Sequence, residues 1–388
     1  MIDYVLLKIA SRCNFDCTYC YWFRDPSVRH LPPLMSPNVI SAFISALERH
    51  IIKNELKEFV CSFHGGEPLL FGHKNLRDFI ERLELISMKT NCHIRYALTT
   101  NGALIDTKWI KLITDYSISI AISIDGPPEV HDKRRKTIRG LSTWESTVSG
   151  YLELCRANIK PSILAVCDPT SDPKNILDHF TEDLGVVFCD FLMPDADHSR
   201  PTESIAQFYI QLFDHWYDNY MDKGIEVRIL NDFLRGIMGL QTKTDSIGFA
   251  PIKTVCLNTS GRLEPHDVLR ISGEERVATN CSILTNEISD IELDPLWLSV
   301  KEASTLLSKK CQCCRFKNTC GGGHIAQRWS DELHYNNPSV YCYDFIKIFE
   351  HIASKISFDI ESNMVSKKLD CSTIEDYLIK GNPSGIFL

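Results

Sequence analysis

The chain has 388 residues, a formal net charge of −8, 44% hydrophobic residues and 24% charged residues. That is the composition of a soluble globular protein of roughly two or three domains, large enough to need no disulfides. The acidic balance argues against a general nucleic-acid binder and fits a small molecule or peptide, with a tRNA substrate left open; the longest basic run is only Lys133-Arg134-Arg135-Lys136.

Sixteen cysteines indicate either a secreted disulfide framework or metal ligands. The start, MIDYVLLKIA, lacks the basic region and cleavage site of a signal peptide and reads as a strand. No apolar run approaches the ~20 residues that span a bilayer. The expectation is a cytoplasmic protein with reduced thiols, several of them metal ligands.

In chain order, residues 4–9 read as a strand and residues 38–53 as a helix, with Ser36 as N-cap and Pro37 in the first turn. Strands at 58–63, 93–99, 117–124, 162–166 and 186–192 alternate with helices at 76–88, 106–114, 143–157 and 173–183. A long helix is expected over 202–223. Alternating strands and helices predict an α/β fold with a parallel sheet, a partial (β/α)6 TIM barrel short of the eight units of a closed one. Its site belongs at the carboxyl ends of the strands. After residue 235 cysteines and glycines become dense. Residues 1–235 therefore read as the barrel, and residues 236–388 as a small cysteine-rich domain with a helix at 339–363.

Directly after the first strand, SRCNFDCTYCYW carries Cys13, Cys17 and Cys20. Three thiolates on one short loop can hold three irons of a [4Fe–4S] cube, for which four cysteines are the norm. The open iron suits a site where a small molecule binds metal. A zinc loop is the rival reading, although zinc loops usually pair cysteines two by two.

This CxxxCxxC motif resembles the signature of the radical S-adenosylmethionine (SAM) superfamily, including the aromatic Tyr19 before the last cysteine. HGGEP, after the second strand, resembles the family's GGE motif, which contacts the SAM amino group. Gly65 and Gly66 allow close backbone approach, and Glu67 can accept from an ammonium. TTNG, with Thr100 and Asn101, follows the third strand; SIDGPPEVHDKRR follows the fourth. The resemblance covers roughly residues 1–230. It implies that Ser123 and Asp125 contact the ribose and that Arg135 meets the methionine carboxylate. It also implies a [4Fe–4S] cluster with exchangeable SAM, a 5′-deoxyadenosyl radical, and a reductant such as flavodoxin or ferredoxin.

The segment CQCCRFKNTCGGGH contains Cys311, Cys314 and Cys320, and Cys342 follows in NPSVYC. This resembles the SPASM (twitch-type) domain, an auxiliary-cluster module of radical SAM peptide maturases. The resemblance implies one fully ligated auxiliary [4Fe–4S] cluster; zinc on the same four thiolates is the alternative. Two positions that hold cysteine in the family are His324 and, in GRLEPHD, His266. Both normally serve an inner cluster, which is therefore expected to be absent, or altered with histidine ligation. Cys256 falls outside the pattern. Cys313 is a spare thiol. Cys61, Cys92, Cys155, Cys167, Cys189, Cys281 and Cys371 read as small core residues.

Asp267 follows His266. In related SPASM enzymes that modify sulfatases, the aspartate at that position removes a substrate proton, so Asp267 is the implied base; a turn aspartate is the alternative. The tail GGGHIAQRWSDELHYNNPSVYCYDF resembles a SPASM branch that includes maturases of ribosomal peptides, several of which form three-residue cyclophanes. The expected function is thus a peptide maturase that abstracts a side-chain hydrogen from a precursor peptide and forms an intrapeptide C–C crosslink. The alternatives are a sulfatase-type formylglycine maturase, an RNA- or cofactor-modifying radical SAM protein, and a non-enzymatic iron–sulfur electron carrier. No recognition domain precedes the first strand, so residues 202–223 and the C-terminal segment are candidates for holding the peptide. Neither membrane nor nucleic acid is an expected partner.

Overall fold

The computed structural model describes residues 1–200, 202–249 and 252–366, with side chains in the last helix as far as residue 358. Cys371 lies outside the described residues. The chain forms two compact units that interleave in sequence. Met1–Ala165 and Ile252–Glu302 make the first; Val166–Pro251 and Ala303–Leu388 make the second.

Nine strands are present among the described residues: β1 (Tyr4–Ala10), β2 (Glu58–Gly65), β3 (His93–Thr100), β4 (Ser119–Ser123), β5 (Ser162–Val166), β6 (Phe188–Leu192), β7 (Glu226–Val227), β8 (Val255–Leu257) and β9 (Leu263–Glu264). In the first unit they lie in the order β5-β4-β3-β2-β1-β8-β9. The pairs from β5 to β8 are parallel, and β9 returns antiparallel to β8. β1, YVLLKIA, is buried along nearly its whole length, as expected of a parallel strand covered on both faces.

The first unit's helices are α1 (Tyr21–Arg24), α2 (Pro37–Asn54), α3 (His73–Thr90), α4 (Thr107–Asp115), α5 (Pro128–Arg134) and α6 (Trp144–Arg156). Ser36 caps α2 by accepting from the Val39 amide, with Pro37 in the first turn. Asp106 caps α4 in the same way. The loop after β3 therefore leads into a helix start that a side chain holds in place.

Several elements differ from expectation. α5 was not anticipated within SIDGPPEVHDKRR; Pro128 sits at its first turn, where proline costs no hydrogen bond. The helix expected over 173–183 ends at Asp178 and continues as a π turn, His179–Asp183. There the Thr181 hydroxyl donates to the Leu177 and Asp178 carbonyls and competes with the regular ladder. The helix expected over 202–223 spans Ala206–Asn219, followed by a 3-10 turn that stops at left-handed Gly224. β7, β8 and β9 are too short to leave a periodic signal.

In the second unit β6 pairs in parallel with β7. Helices Ala206–Asn219, Arg228–Ile237 and Cys342–Ser366 pack around aromatic contacts such as Tyr209–Phe233 and Phe233–Phe349. Among the described residues, no helix is long and apolar enough to cross a membrane.

Candidate active site and a second cysteine site

The loop with Cys13, Cys17 and Cys20 runs from the end of β1 to α1. Neighbouring backbone fixes its path. The Asp16 amide donates to the Lys136 carbonyl at 2.7 Å, and the Thr18 amide to the Arg134 carbonyl at 2.9 Å. The Gly66 and Glu67 amides donate to the Ala10 and Arg12 carbonyls, each at 2.8 Å. A Cβ on Gly66 would lie 2.4 Å from the Arg12 oxygen, and one on Gly65 2.2 Å from the Ala10 oxygen. Glycine is required here for space, because two backbones touch. The Arg12 guanidinium ties the far side by donating to the Val28, Arg29 and Leu31 carbonyls.

The three cysteines are half-buried free thiols. Burial raises all three, Cys17 to about 11; the Glu67 charge adds to the effect on Cys13, whereas the Arg135 charge opposes it on Cys17. The Phe15 amide donates to the Cys13 sulfur at 3.3 Å, and the Asn101 amide nitrogen approaches it at 3.8 Å. Three converging thiols whose negative forms repel one another fit a cationic metal core, which favours the thiolates. The donor set matches the three cysteines of a cluster with one open iron.

Glu67 is 1% exposed. Its Oε1 accepts from the Leu69 amide and the Thr100 hydroxyl, and its Oε2 from the Asn101 amide. Burial pushes its carboxyl up to about 7, against the pull of those donors. Glu67 thus joins the β2 and β3 ends, which places Thr100 and Asn101. This is a positioning arrangement beyond the ammonium contact expected from sequence.

After β4, Asp125 is buried and accepts from the Tyr19 hydroxyl at 2.7 Å. It pairs with Arg135 at 3.1 Å and Arg134 at 3.6 Å. Both guanidinium groups lie over the Tyr19 ring, at 4.7 Å for Arg134 and 5.3 Å for Arg135. His131, on α5, is fully buried. Burial, then the Arg135 charge, lower it to about 4, so it is neutral at pH 7. Its Nδ1 accepts from the Asp125 amide, which leaves Nε2–H to donate to the Thr143 hydroxyl; that hydroxyl donates to the Arg135 carbonyl. Tyr19, Asp125 and Arg135 are therefore brought together. Ser123 ends β4 and is half-buried.

Asp267 is also buried, beside the same loop. Its Oδ2 lies 2.5 Å from the Lys8 ammonium and accepts from the hydroxyl of Tyr21, the residue after Cys20. Its Oδ1 faces His266 Nδ1 at 3.5 Å. Burial alone would raise the Asp267 carboxyl, but the Lys8 ammonium, with His266 and His64, holds it well below the usual range. Lys8 reaches His64 Nδ1 at 3.1 Å and the Tyr21 oxygen at 2.8 Å. Lys8 and His64 are register partners on β1 and β2. Trp22 lies between two cations, with Lys8 Nζ at 4.6 Å and the Arg270 guanidinium at 4.8 Å. Arg270 pairs with Asp25 and Glu264, both buried. The segment carrying Asp267 is thereby fastened to α1.

Sequence reasoning missed Lys8, Tyr21, His131, Thr143 and Arg270. Lys8 had a signal: it is the one charge in the apolar strand YVLLKIA. Cys61, Cys92, Cys167, Cys189 and Cys281 are buried, as read from the sequence, whereas Cys155 is half-buried; Cys256, in β8, is buried as well. His324 is buried in the second unit.

In the second unit Cys311, Cys314, Cys320 and Cys342 line one cavity of about 230 Å³. Phe316, Phe345 and Phe349 form part of its apolar wall. Burial pushes Cys320 up to about 12, and the charges of Cys311, Cys342 and Cys314 add to this. Four thiols facing one apolar cavity fit a four-thiolate metal centre. Cys313 is exposed and lies outside that lining.

Residues 7–181 match the family model of the Radical SAM superfamily. The chain carries a radical SAM domain. Its parallel α/β sheet is the radical SAM partial barrel, with a SPASM-type fold. The chain is 24% identical to the cysteine-type anaerobic sulfatase-maturating enzyme of Clostridium novyi (strain NT), over 91% of this chain and 96% of the relative. It is 23% identical to the serine-type enzyme of Bacteroides thetaiotaomicron, over 92% and 90%. Native anSMEcpe with bound AdoMet and Cp18Cys peptide superposes with a TM-score of 0.78 at 22% identity, covering 93% of this chain and 99% of that one. Streptococcus suis SuiB bound to precursor peptide SuiA gives a TM-score of 0.62 at 14% identity, covering 88% and 76%.

Proposed function

We propose that this radical SAM enzyme oxidises a cysteine or serine side chain of a peptide to an aldehyde, in the manner of sulfatase maturation. The observation that carries the reading is Asp267: its carboxylate accepts from Tyr21, the residue next to Cys20, and so lies beside the cysteine loop. The sulfatase-maturating relatives, alike over nine-tenths of both chains, support this reading above a crosslinking one.

When bound, SAM and the clusters supply a 5′-deoxyadenosyl radical and a sink for one further electron. Cys13, Cys17 and Cys20 hold the SAM-binding cluster, and Cys311, Cys314, Cys320 and Cys342 one auxiliary [4Fe–4S] cluster. Gly65, Gly66, Thr100, Asn101, Ser123, Asp125 and Arg135 line the SAM site, with Tyr19 and Glu67 positioning them. Asp267 takes the proton that the substrate carbon radical sheds as its second electron leaves. Lys8 keeps that carboxylate ionised. The net change at the side chain is the loss of two electrons and two protons; for cysteine, hydrolysis then releases sulfide. A flavodoxin or ferredoxin supplies the reducing electron.

A second reading, peptide crosslinking, is favoured by one observation: His266 and His324 stand at two positions where the family's inner auxiliary cluster has cysteine. One experiment separates the two. The reconstituted protein is incubated with SAM, reductant and a synthetic sulfatase-type peptide with a central cysteine. The expected products are 5′-deoxyadenosine, sulfide and a hydrazide-reactive peptide. Formation of 5′-deoxyadenosine with the peptide unchanged would overturn the sulfatase-type reading. A two-hydrogen loss without an aldehyde, on a peptide encoded beside this gene, would establish the crosslinking one.

A further inference from the structure

Arg328 is 1% exposed and lies in the second unit. It makes four hydrogen bonds to main-chain oxygens. Nε donates to Asn337 at 3.1 Å and Nη1 to Ala303 at 2.6 Å; Nη2 donates to Leu306 and Tyr335, each at 2.9 Å. These carbonyls satisfy its hydrogen bonds but leave its full charge without a countercharge. No carboxylate pairs with Arg328 among the described residues. A buried cation in that position is costly unless an anion lies near.

The near groups able to carry negative charge are Cys311 and Cys320. Gly322 explains the approach. It lines the cysteine cavity, and its amide donates to the Cys320 sulfur. Its φ is +89°, and a Cβ there would come 3.0 Å from Leu307 and 3.6 Å from the guanidinium carbon of Arg328. The glycine thus lets the guanidinium lie directly behind the cavity wall. Lys310 and Lys317 also line the cavity, but both are exposed and screened by solvent.

We propose that Arg328 is the buried countercharge of the auxiliary cluster and raises its reduction potential. This rests on the reading that Cys311, Cys314, Cys320 and Cys342 hold an iron–sulfur cluster. Four thiolates outweigh the positive charge of a [4Fe–4S] core in both oxidation states, and the reduced state carries one more negative charge. A fixed cation in a region of low dielectric therefore favours the reduced form. The same four carbonyl bonds fix its position, so the charge cannot swing away to solvent.

The test uses the full chain with Cys13, Cys17 and Cys20 all changed to alanine, so that only the auxiliary centre responds. An anaerobic redox titration followed by electron paramagnetic resonance compares Arg328, Arg328→Lys and Arg328→Met. Arg328→Met is expected to lower the midpoint so that the reduced-to-oxidised ratio falls about tenfold at the original midpoint, ~59 mV for one electron. Arg328→Lys keeps the charge and is expected to stay near the parent value. Should Arg328→Met fail to fold, Arg328→Gln, which keeps hydrogen-bond donors without the charge, takes its place: a midpoint lowered by the same amount supports the countercharge, and an unshifted one refutes it. An unshifted midpoint in a loaded Arg328→Met protein also refutes it. If the alanine parent holds zinc or no iron–sulfur centre, the cluster reading itself has failed, and iron and sulfide analysis reveals that independently.

Discussion

The Lys8 ammonium lies 2.5 Å from the Asp267 carboxylate, and both side chains are almost wholly buried. The pair joins the first strand of the sheet to a short 3-10 helix near the end of the first unit, Asp267–Ser272. Breaking such a pair from one side leaves an uncompensated buried charge. Lys8→Met is expected to cost ~3–5 kcal/mol. The double variant Lys8→Met/Asp267→Asn should be less destabilised than Lys8→Met alone, because the orphan charge is gone. Urea unfolding of the parent, the two single variants and the double variant checks this, and simple additivity of the two single costs would refute the coupling.

Asp267 itself gives a catalytic prediction. Asp267→Asn should keep SAM cleavage, because none of its contacts reaches the cysteine sulfurs directly. Peptide product should fall by about 10²–10⁴-fold, the usual contribution of a general base. Quantifying 5′-deoxyadenosine against modified peptide in the same reaction measures the uncoupling. Parallel loss of both would assign Asp267 to structure instead.

His131 predicts a pH dependence of stability. Its ring is lowered from 6.5 to about 4 by burial and then by Arg135. Between those values the unfolded chain binds a proton that the folded chain refuses. Stability should therefore fall as pH drops from 6.5 towards 4. His131→Asn should flatten that part of the slope. Urea midpoints at several pH values in this window, for both proteins, provide the comparison.

Gly66 sits where the β2 end meets the cysteine loop, 2.4 Å from a backbone oxygen in the place a Cβ would occupy. Gly66→Ala should push the two apart and lower both iron loading and SAM cleavage. Iron content and 5′-deoxyadenosine formation test it. Full loading with normal cleavage would mean that the contact relaxes at no cost.

The second cysteine site predicts a divisible metal content. Changing Cys311, Cys314, Cys320 and Cys342 to serine should remove about four irons per chain, one cluster's worth. The centre at Cys13, Cys17 and Cys20 should survive. Iron analysis together with Mössbauer spectra tests this; loss of zinc rather than iron would reassign the site.

What the sequence determined by itself was local. Cysteine spacing on one loop, the glycines of HGGEP and the alternation of strands with helices are short-range patterns, and they placed the cysteine loop, Glu67, Asn101, Asp125 and Arg135 at successive strand ends. The Ser36 cap marked a helix start for the same reason, since a cap is satisfied within one turn.

Only the tertiary structure decided which distant groups share a charge. Lys8 looked like a flaw in an apolar strand until Asp267, His64 and Tyr21 closed around it. Arg328 was one letter in a glycine-rich tail until four carbonyls and the cysteine cavity surrounded it. The interleaving of the two units was likewise hidden. The physical reason is common to the two charges. Burial removes the solvent that would otherwise satisfy each charge, and the partner that replaces it is supplied by chain folding back from far away in sequence, where no periodicity points to it.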